Sequence, residues 1–267
     1  MRASHLDALI ASNEPAICIR VADAKGSTPR ESGAWMIVTE LMTSGTIGGG
    51  TLEFRAIARA REMLAAGQTA DERMEIPLGP EIGQCCGGRV ALALTVTDRE
   101  RMTVLRDELL QRESVQPAVL VFGGGHVGNA LARALAALPF NTLMVETRGD
   151  VLPDDLPVPS KIVAMPEVLV TQAEAGSAIV VLTHDHALDF MIVSEALKRD
   201  DLPYIGMIGS KTKRATFQSQ WLREGGISED LDKLISPIGG DTVRDKRPDV
   251  IAALVAAEIT TVLLGAE

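Results

Sequence analysis

AVLVFGGGHVGNALARALA, residues 118–136, runs from an apolar strand pattern through a glycine-rich turn into a helical pattern. The same alternation returns further along the chain, in NTLMVETR, AIVVLT, LDFMIVSEALKR and YIGMIGS. Strands that are apolar throughout and alternate with helices are typical of a parallel sheet that is covered on both faces. We therefore predict an α/β, doubly wound parallel sheet for the C-terminal part of the chain.

The residues before this stretch follow a different pattern. From residue 15 to about residue 97, short β-rich runs recur, namely AICIRVADA, AWMIVTE and RVALALTVTD, and one amphipathic helix, TLEFRAIARAREMLAAG, interrupts them. A charged helix, DRERMTVLRDELLQRES, then leads to Pro117. Because the polar stretch 111–117 separates the two patterns, we predict an N-terminal α+β domain over residues 1–114 and a second domain over residues 115–267.

Composition narrows the classes of function. The chain has 267 residues, 46% of them hydrophobic, and a net charge of -10, which is the wrong sign for a protein that binds the phosphate backbone of nucleic acids. Residues 1–15 fit a short amphipathic helix better than a signal peptide, and Glu258 interrupts the most apolar long segment. We expect a cytoplasmic protein with neither a nucleic-acid partner nor a membrane partner.

The glycine-rich turn fits the pattern G-x-G-x-x-G at Gly123, Gly125 and Gly128, directly after a strand and at the start of a helix. Glu146 ends the next strand, where dinucleotide-binding domains carry an acid that binds ribose. On this interpretation, Gly125 lets a diphosphate approach the amides of the helix start. The alternative is that the glycines only allow close packing of strand and helix.

The segment IGSKTKR, residues 208–214, has a second set of residues that suggest an anion-binding site. Ser210 is a good N-cap, and Lys211, Lys213 and Arg214 place cations in the first turn of a helix, where they oppose the helix dipole. A bound phosphate would resolve that conflict. A solvated basic turn explains the local sequence equally well.

Polar residues also follow the strand AIVVLT, in the segment THDHALD. His184 and Asp185 lie at the carboxyl edge of the predicted sheet, where open α/β sheets bind ligands. Because the sequence shows no third soft ligand close by, we interpret them as ligand-facing polar residues and not as a metal site. Alternatively, Asp185 or Thr183 caps the next helix.

Two features of the N-terminal half suggest chemistry. Gly48, Gly49 and Gly50 precede a helix and offer backbone amides to an anion, although a hairpin turn would use the same residue type. Cys85 and Cys86 are adjacent between glycines, a spacing that fits neither a zinc site nor an unstrained disulfide. Glycines leave thiols accessible, so we predict a soft-ligand or sulfur-handling role for this pair. Cys18, in a β run, fits a small buried core residue.

Taken in order, these blocks resemble the xanthine dehydrogenase accessory proteins of the XdhC/CoxI family. The resemblance runs nearly end to end and rests on KGSTPRESGAWM, GTIGGGTLE, LGPEIGQCCGGRV, VFGGGHVGNAL, VETR, LTHDHALD, YIGMIGSKTKR and SPIGGDTV. Two positions depart from the family pattern. Glu146 stands where the family often has Asp, and Gly240 stands where a larger residue is expected, so nucleotide binding by the second domain stays open.

The resemblance implies a C-terminal Rossmann-like domain, a homodimer and the function of a molybdenum cofactor chaperone. Such a protein binds the pterin cofactor (molybdopterin) as cargo, holds it while a cysteine desulfurase supplies sulfur, and passes it to apo-xanthine dehydrogenase. Cys85 and Cys86 would lie near the molybdenum. The other residues implied to line the cleft are Gly48, Gly49, Gly50, Gly87, Gly88, His184, Asp185, Ser210 and Lys213.

Two other functions compete with this one. An NAD(P)-dependent oxidoreductase would use the turn Gly123 to Gly128 with Glu146, but the chain has a single tyrosine, Tyr204, and no evident proton relay. A thiol–disulfide redox protein normally uses a Cys-x-x-Cys spacing, which this chain lacks. Of the three functions, we therefore favour the accessory role, in which the protein is not itself an enzyme.

Overall fold

A computed structural model describes residues 1–78 and 88–265 of the chain. The chain divides into two compact units, Met1–Arg112 and Glu113–Glu267. The elements of the N-terminal part, in chain order, are α1 (Ser4–Ser12), β1 (Ala16–Lys25), β2 (Trp35–Val38), β3 (Thr43–Gly45), α2 (Gly50–Ala65), β4 (Glu72–Pro77), β5 (Arg89–Thr97) and α3 (Arg99–Ser114).

The five strands of the first unit form an antiparallel sheet in the order β3-β2-β1-β5-β4. Alternation along β1 places Ile17 and Ile19 in a core with Leu52 and Met63 of α2. The intervening residue Cys18 is part of a second cluster, which includes side chains of α1 and α3. Because β1 is central and helices cover both faces of the sheet, the predicted α+β character is confirmed.

Two edge strands of this sheet, β3 and β4, were not predicted from the sequence. In β4, exposed residues alternate with residues that are partly buried or, at Ile76, buried, and the run ERMEIP contains three charged residues. In β3, the three residues Thr43–Gly45 are too short and too polar to produce a pattern. Edge strands of this kind are poor in apolar residues because only one side of the strand is paired and covered.

The second unit is a six-stranded, fully parallel sheet in the order β11-β10-β9-β6-β7-β8. Its strands are β6 (Ala118–Phe122), β7 (Asn141–Glu146), β8 (Ser160–Ile162), β9 (Ala178–Val181), β10 (Tyr204–Met207) and β11 (Leu234–Ile235). Its helices are α4 (His126–Ala136), α5 (Glu167–Gln172), α6 (His186–Leu197), α7 (Lys211–Arg223), a short 3-10 helix (Glu229–Lys233) and α8 (Pro248–Leu264).

Helices cover both faces of this parallel sheet, as predicted. Leu120 and Phe122 of β6 share a core with residues of α5, α6 and α7, whereas Val119 and Val121 share a core with residues of α4 and α8. The chain runs from β6 to β8 in one direction and from β9 to β11 in the other. This is the Rossmann strand order, and its switch point lies between the loops that follow β6 and β9.

Candidate functional site

In the first unit, three of the motif loops are packed against one another. A Cβ atom added to Gly48 would lie 2.6 Å from Cβ of Pro29. A Cβ atom added to Gly88 would lie 2.4 Å from the carbonyl oxygen of Ser27 and 2.7 Å from that of Lys25. Close packing therefore joins three blocks, KGSTPR, GTIGGG and the end of QCCGG. At Gly48 and Gly88, any residue larger than glycine would force the neighbouring loop to shift.

The amides at the start of α2 already bind a carboxylate of the chain itself. Oε2 of Glu53 accepts hydrogen bonds from the backbone N–H groups of Gly49 (3.0 Å) and Ile47 (3.1 Å), and from Oγ1 of Thr46 (2.7 Å). Gly48, Gly49 and Gly50 all have positive φ, at 125°, 74° and 59°. The loop is therefore an anion cradle, as its sequence suggests, and its resident anion is the half-exposed Glu53 side chain.

The cysteine segment joins the described part of the unit at a fixed base. The backbone N–H of Leu78 donates to the carbonyl of Gly88 at 2.8 Å, and Pro77 pairs with Arg89 across β4 and β5. Cys85, Cys86 and Gly87 lie outside the described residues. Cys18 is only 5% exposed, and burial raises the pKa of its thiol to about 11, which confirms that it is a core residue.

In the second unit, the glycines of the turn after β6 divide into two groups. A Cβ atom on Gly128 would lie 1.9 Å from the carbonyl oxygen of Gly123, and one on Gly123 would lie 2.5 Å from the carbonyl oxygen of Leu182. Gly125, by contrast, has open space around its Cβ position and is the N-cap of α4. Close packing thus explains Gly123 and Gly128, and Gly125 keeps the accessible position that a diphosphate would need.

Glu146, the predicted ribose-binding acid, is bound by the protein itself. Its carboxylate accepts hydrogen bonds from the backbone N–H groups of Gly124 (2.8 Å), Thr147 (2.8 Å) and Arg148 (3.2 Å), and from the Arg148 guanidinium. Burial by itself raises the pKa of Glu146, but the hydrogen bonds from Arg148 and from these amides outweigh it and hold the pKa at about 2. A ribose hydroxyl would have to displace these donors.

A buried ion pair joins the loops after β9 and β10. Asp189 is fully buried, and its carboxylate accepts hydrogen bonds from the N–H (3.0 Å) and Oγ1 (2.6 Å) of Thr183. Nζ of Lys213 donates to the other carboxylate oxygen of Asp189 and to the carbonyl of Ile208 (3.0 Å). The cation of Lys213 at the start of α7 is therefore balanced by an acid 24 residues earlier in the chain.

The other predicted residues of this edge serve mainly as helix caps. Asp185 is the N-cap of α6 and accepts from the N–H of Ala187 at 2.8 Å, and Ser210 is the N-cap of α7 and accepts from the N–H of Lys213 at 3.3 Å. Arg214 donates to the carbonyl of Ser236 at 2.9 Å. The side chain of His184 is exposed, and His184 is not the N-cap of either helix.

The block SPIGGDTV follows β11, and the backbone conformation explains why two of its residues are glycines. Gly239 and Gly240 have positive φ, at 77° and 69°, so a larger residue at position 240 would be strained. The N–H of Gly239 donates to the Glu258 carboxylate at 3.0 Å, and the Tyr204 hydroxyl donates to the same oxygen at 2.9 Å. Burial, and then the charge of Glu258, raises the pKa of Tyr204 far above its ordinary value, so Tyr204 is a poor acid.

The described residues contain neither a cluster of metal-ligating side chains nor a membrane-spanning helix. Over residues 1–78 and 88–265, no group of three or more His, Cys, Asp or Glu side chains is placed to hold a metal ion. Within the same residues, none of the helices combines the length and apolar character that crossing a bilayer requires. Cys85 and Cys86 lie outside these ranges.

Comparisons with known proteins match both units. A model of the XdhC and CoxI family matches residues 9–76, and a model of the XdhC Rossmann domain matches residues 119–259. The uncharacterized protein YqeB of Escherichia coli (strain K12) is 26% identical over 261 residues, which cover 94% of this chain and 44% of YqeB, so the chain spans less than half of that relative.

A solved structure shares the fold of this chain. A crystal structure from Bacillus halodurans, described as a xanthine dehydrogenase, resembles this chain with a TM-score of 0.78 at 18% identity. The similarity covers 100% of this chain and 97% of the other. At this level of identity the comparison bears on the fold, and the role of this chain has to be argued from its residues.

Proposed function

This chain belongs to the XdhC and CoxI family, and from that premise we propose that it is an accessory protein of xanthine dehydrogenase maturation, a molybdenum cofactor chaperone. It holds the pterin cofactor as cargo while a cysteine desulfurase supplies sulfur, and it passes the sulfurated cofactor to apo-xanthine dehydrogenase. It acts in the cytoplasm as a homodimer and is not itself an enzyme.

One observation carries the proposal: the packing of three motif loops at the base of the cysteine segment. Gly48 contacts Pro29, and Gly88, the first described residue after the cysteine segment, contacts Ser27, so an oxyanion-binding loop and Gly88 belong to one neighbourhood of the first unit. Thiolates are soft ligands that suit molybdenum and sulfur chemistry, and backbone amides suit a phosphate or an oxo group. The two donor types match the two ends of a molybdopterin.

The amide cradle itself fits such a ligand. The N–H groups of Gly49 and Ile47 already hold one carboxylate oxygen of Glu53 at 3.0 and 3.1 Å, which are ordinary distances for hydrogen bonds to an anion. Because Glu53 is half-exposed and lies on the first turn of α2, its side chain can move aside without unfolding the loop. An incoming oxyanion would then exchange with it.

Anaerobic cofactor capture tests the proposal. The full chain is mixed with molybdenum cofactor released from a molybdoenzyme and gel-filtered, and molybdenum and pterin fluorescence are measured in the protein fraction. We expect stoichiometric cofactor on the wild type and at least a tenfold loss on Cys85→Ala/Cys86→Ala, since soft metal–ligand bonds contribute several kcal/mol. Full retention by the double variant would reject the thiol role.

A matched control separates the role of the pair from a general loss of thiols. Cys18→Ala removes the buried third cysteine, and we expect it to retain the cofactor although it lowers stability slightly. Circular dichroism and thermal unfolding confirm that each variant is folded. Transfer is then measured as the activity that apo-xanthine dehydrogenase gains from loaded wild type and from loaded variants.

The strand order of the second unit favours a second candidate, an NAD(P)-dependent oxidoreductase. Its order places an open Gly125 at the switch point, where dinucleotides bind. Against it stand a Glu146 carboxylate whose oxygens are already occupied and a Tyr204 that is buried against Glu258. A nicotinamide fluorescence titration decides, and tight binding with hydride transfer would replace the chaperone proposal.

A further inference from the structure

A cavity of about 510 Å³ opens where β10 and β11 end, away from the switch point between β6 and β9. Residues after β10 form one part of its lining, the block SPIGGDTV and the residues that follow it form another, and α8 contributes Ile251 and Leu254. Its volume lies in the range of small-molecule sites, which is roughly 300–1,000 Å³. The volume suits a ligand of the size of a mononucleotide.

The cavity carries positive charge in a protein that is strongly negative overall. Lys211, Arg244 and Lys246 line it, and among residues 1–78 and 88–265 no carboxylate forms an ion pair with any of the three. Of the two acids in the lining, Asp245 is held by Arg247, with Nη2 to Oδ2 at 2.6 Å. The three cations leave an excess of two positive charges over Asp241, or of one if Asp245 is also counted, in a chain whose net charge is -10.

The lining also includes an apolar wall, which is held in place. Ile238 is 6% exposed and packs in the core of the unit, and Leu254 lies behind Gly239, at 3.1 Å from its Cβ position. The hydrogen bond from Gly239 to Glu258 fixes the loop against α8. A ligand in this cavity therefore meets both cations and a preformed apolar wall.

We propose that this cavity binds a phosphomonoester carried on a small flat heterocycle. A phosphomonoester has a charge of about -1.5 to -2 near neutral pH, since its second pKa is near 6. Arginine offers it two parallel N–H donors and lysine a point charge, while the flat ring packs on the apolar wall. The three unpaired cations thereby gain the counter-charge that the chain does not supply.

The inference goes beyond the proposed function, because it concerns a cavity of the second unit and does not depend on the cysteines. A molybdopterin and a mononucleotide both present a phosphomonoester on a flat heterocycle. The experiment therefore includes both. In either case, the residues that recognise the ligand are the cations after β10 and β11, which the sequence analysis assigned only in part.

Isothermal titration of the full chain tests the inference with matched probes. One pair is GMP and guanosine, and the other is an oxidised phosphorylated pterin before and after phosphatase treatment. We expect at least one phosphorylated probe to bind at least tenfold more tightly than its dephosphorylated form, because charge-assisted hydrogen bonds each contribute about a factor of ten. Tighter binding of GMP identifies a nucleotide site, and tighter binding of the phosphorylated pterin identifies a pterin site.

Charge-removal variants locate the site. Lys211→Gln/Arg244→Gln removes two exposed cations of the cavity, and we expect it to weaken binding of the phosphorylated probe by about a hundredfold, a factor of ten for each cation. The matched control is Arg223→Gln, which removes an exposed cation from the last turn of the same helix, α7, and should change binding less than about twofold.

The result that overturns the inference is a solvated basic surface: equal affinity for the two members of each probe pair, or equal affinity of wild type and Lys211→Gln/Arg244→Gln. Failure here is distinct from failure of the chaperone proposal. Cys85→Ala/Cys86→Ala tests cofactor retention through the first unit, and this variant is expected to bind the phosphorylated probe as the wild type does.

Discussion

The two glycine-rich helix starts of this protein look alike in sequence and differ in how they are built. Gly48 and Gly49 precede α2, which begins at Gly50, and Gly123–Gly125 precede α4; in both a glutamate of the chain accepts hydrogen bonds from the loop amides. At α2 the acid is Glu53, which is half-exposed and on the helix itself. At α4 it is Glu146, which is 4% exposed and comes from the neighbouring strand β7.

The difference in burial separates an exchangeable site from a structural one. Glu53 has no cation bound to it among the described residues, and solvent reaches it, so an external anion can replace it at modest cost. Glu146 is held by Arg148 and by three backbone amides, so its removal leaves buried donors unpaired. A glycine-rich helix start is thus a ligand site only where the anion of the chain itself is free to leave.

The largest expected effect comes from the packing glycine of the α4 start. Gly128→Ala places a Cβ atom 1.9 Å from a backbone oxygen that cannot rotate away, so we expect the second unit to lose about 3 kcal/mol or to fail to fold. Gly125→Ala, with open space and a φ of -70°, should change stability by less than about 0.5 kcal/mol. Urea unfolding measures the free energy of unfolding of both variants. Equal losses would contradict the assignment of Gly128 as a packing residue and of Gly125 as an accessible one.

The next effect distinguishes the structural carboxylate by its pH dependence. The depressed pKa of Glu146, about 2, contributes stability that is present above its ordinary pKa of 4.5 and is lost as the pH falls toward 2. Glu146→Gln should therefore cost about 2 kcal/mol at pH 7, discounted for the partly exposed Arg148, and progressively less below pH 4.5. Urea midpoints at pH 7 and pH 3 test this, with exposed Glu229→Gln as the control; a pH-independent difference would contradict it.

The smallest effect is expected at the exchangeable site. Glu53→Gln replaces an anionic acceptor by a neutral one at the α2 start, and we expect a loss of about 1 kcal/mol in the thermal stability of the first unit. The control Glu75→Gln breaks an exposed ion pair with Arg89 and should cost less than about 0.5 kcal/mol. A loss at Glu53 as large as that at Glu146 would remove the distinction between the two helix starts.

Much of the fold follows from the local pattern, and the candidate sites follow less well. The alternation of apolar strands with helices predicts the parallel sheet because a buried strand and an amphipathic helix leave periodic signals. The edge strands β3 and β4 leave almost no signal, since they are short or half charged. Arg244 and Lys246 were missed because nothing around them in sequence marks a cavity, which forms only where the residues that follow β10 and β11 meet α8.

The pairing of charges at the start of α7 also could not be predicted from the sequence. The cations at the start of α7 indicate an anion, but the sequence cannot tell that Asp189 neutralises Lys213 and that Lys211 faces a cavity. Both positions are lysines in the same helical turn. Only the packing of α6 against the sheet brings Asp189 to one of them, because a helix presents residues two positions apart to different surroundings.

The sequence by itself determined the class of each unit and the position of the glycine-rich turns. These features depend on short-range rules, namely the periodicity of strands and helices and the backbone freedom of glycine. The tertiary structure alone decided which anions the turns hold. Glu146 reaches the amide of Gly124 only because β7 pairs with β6, a contact 22 residues away along the chain, and long-range pairing of this kind leaves no local trace in the sequence.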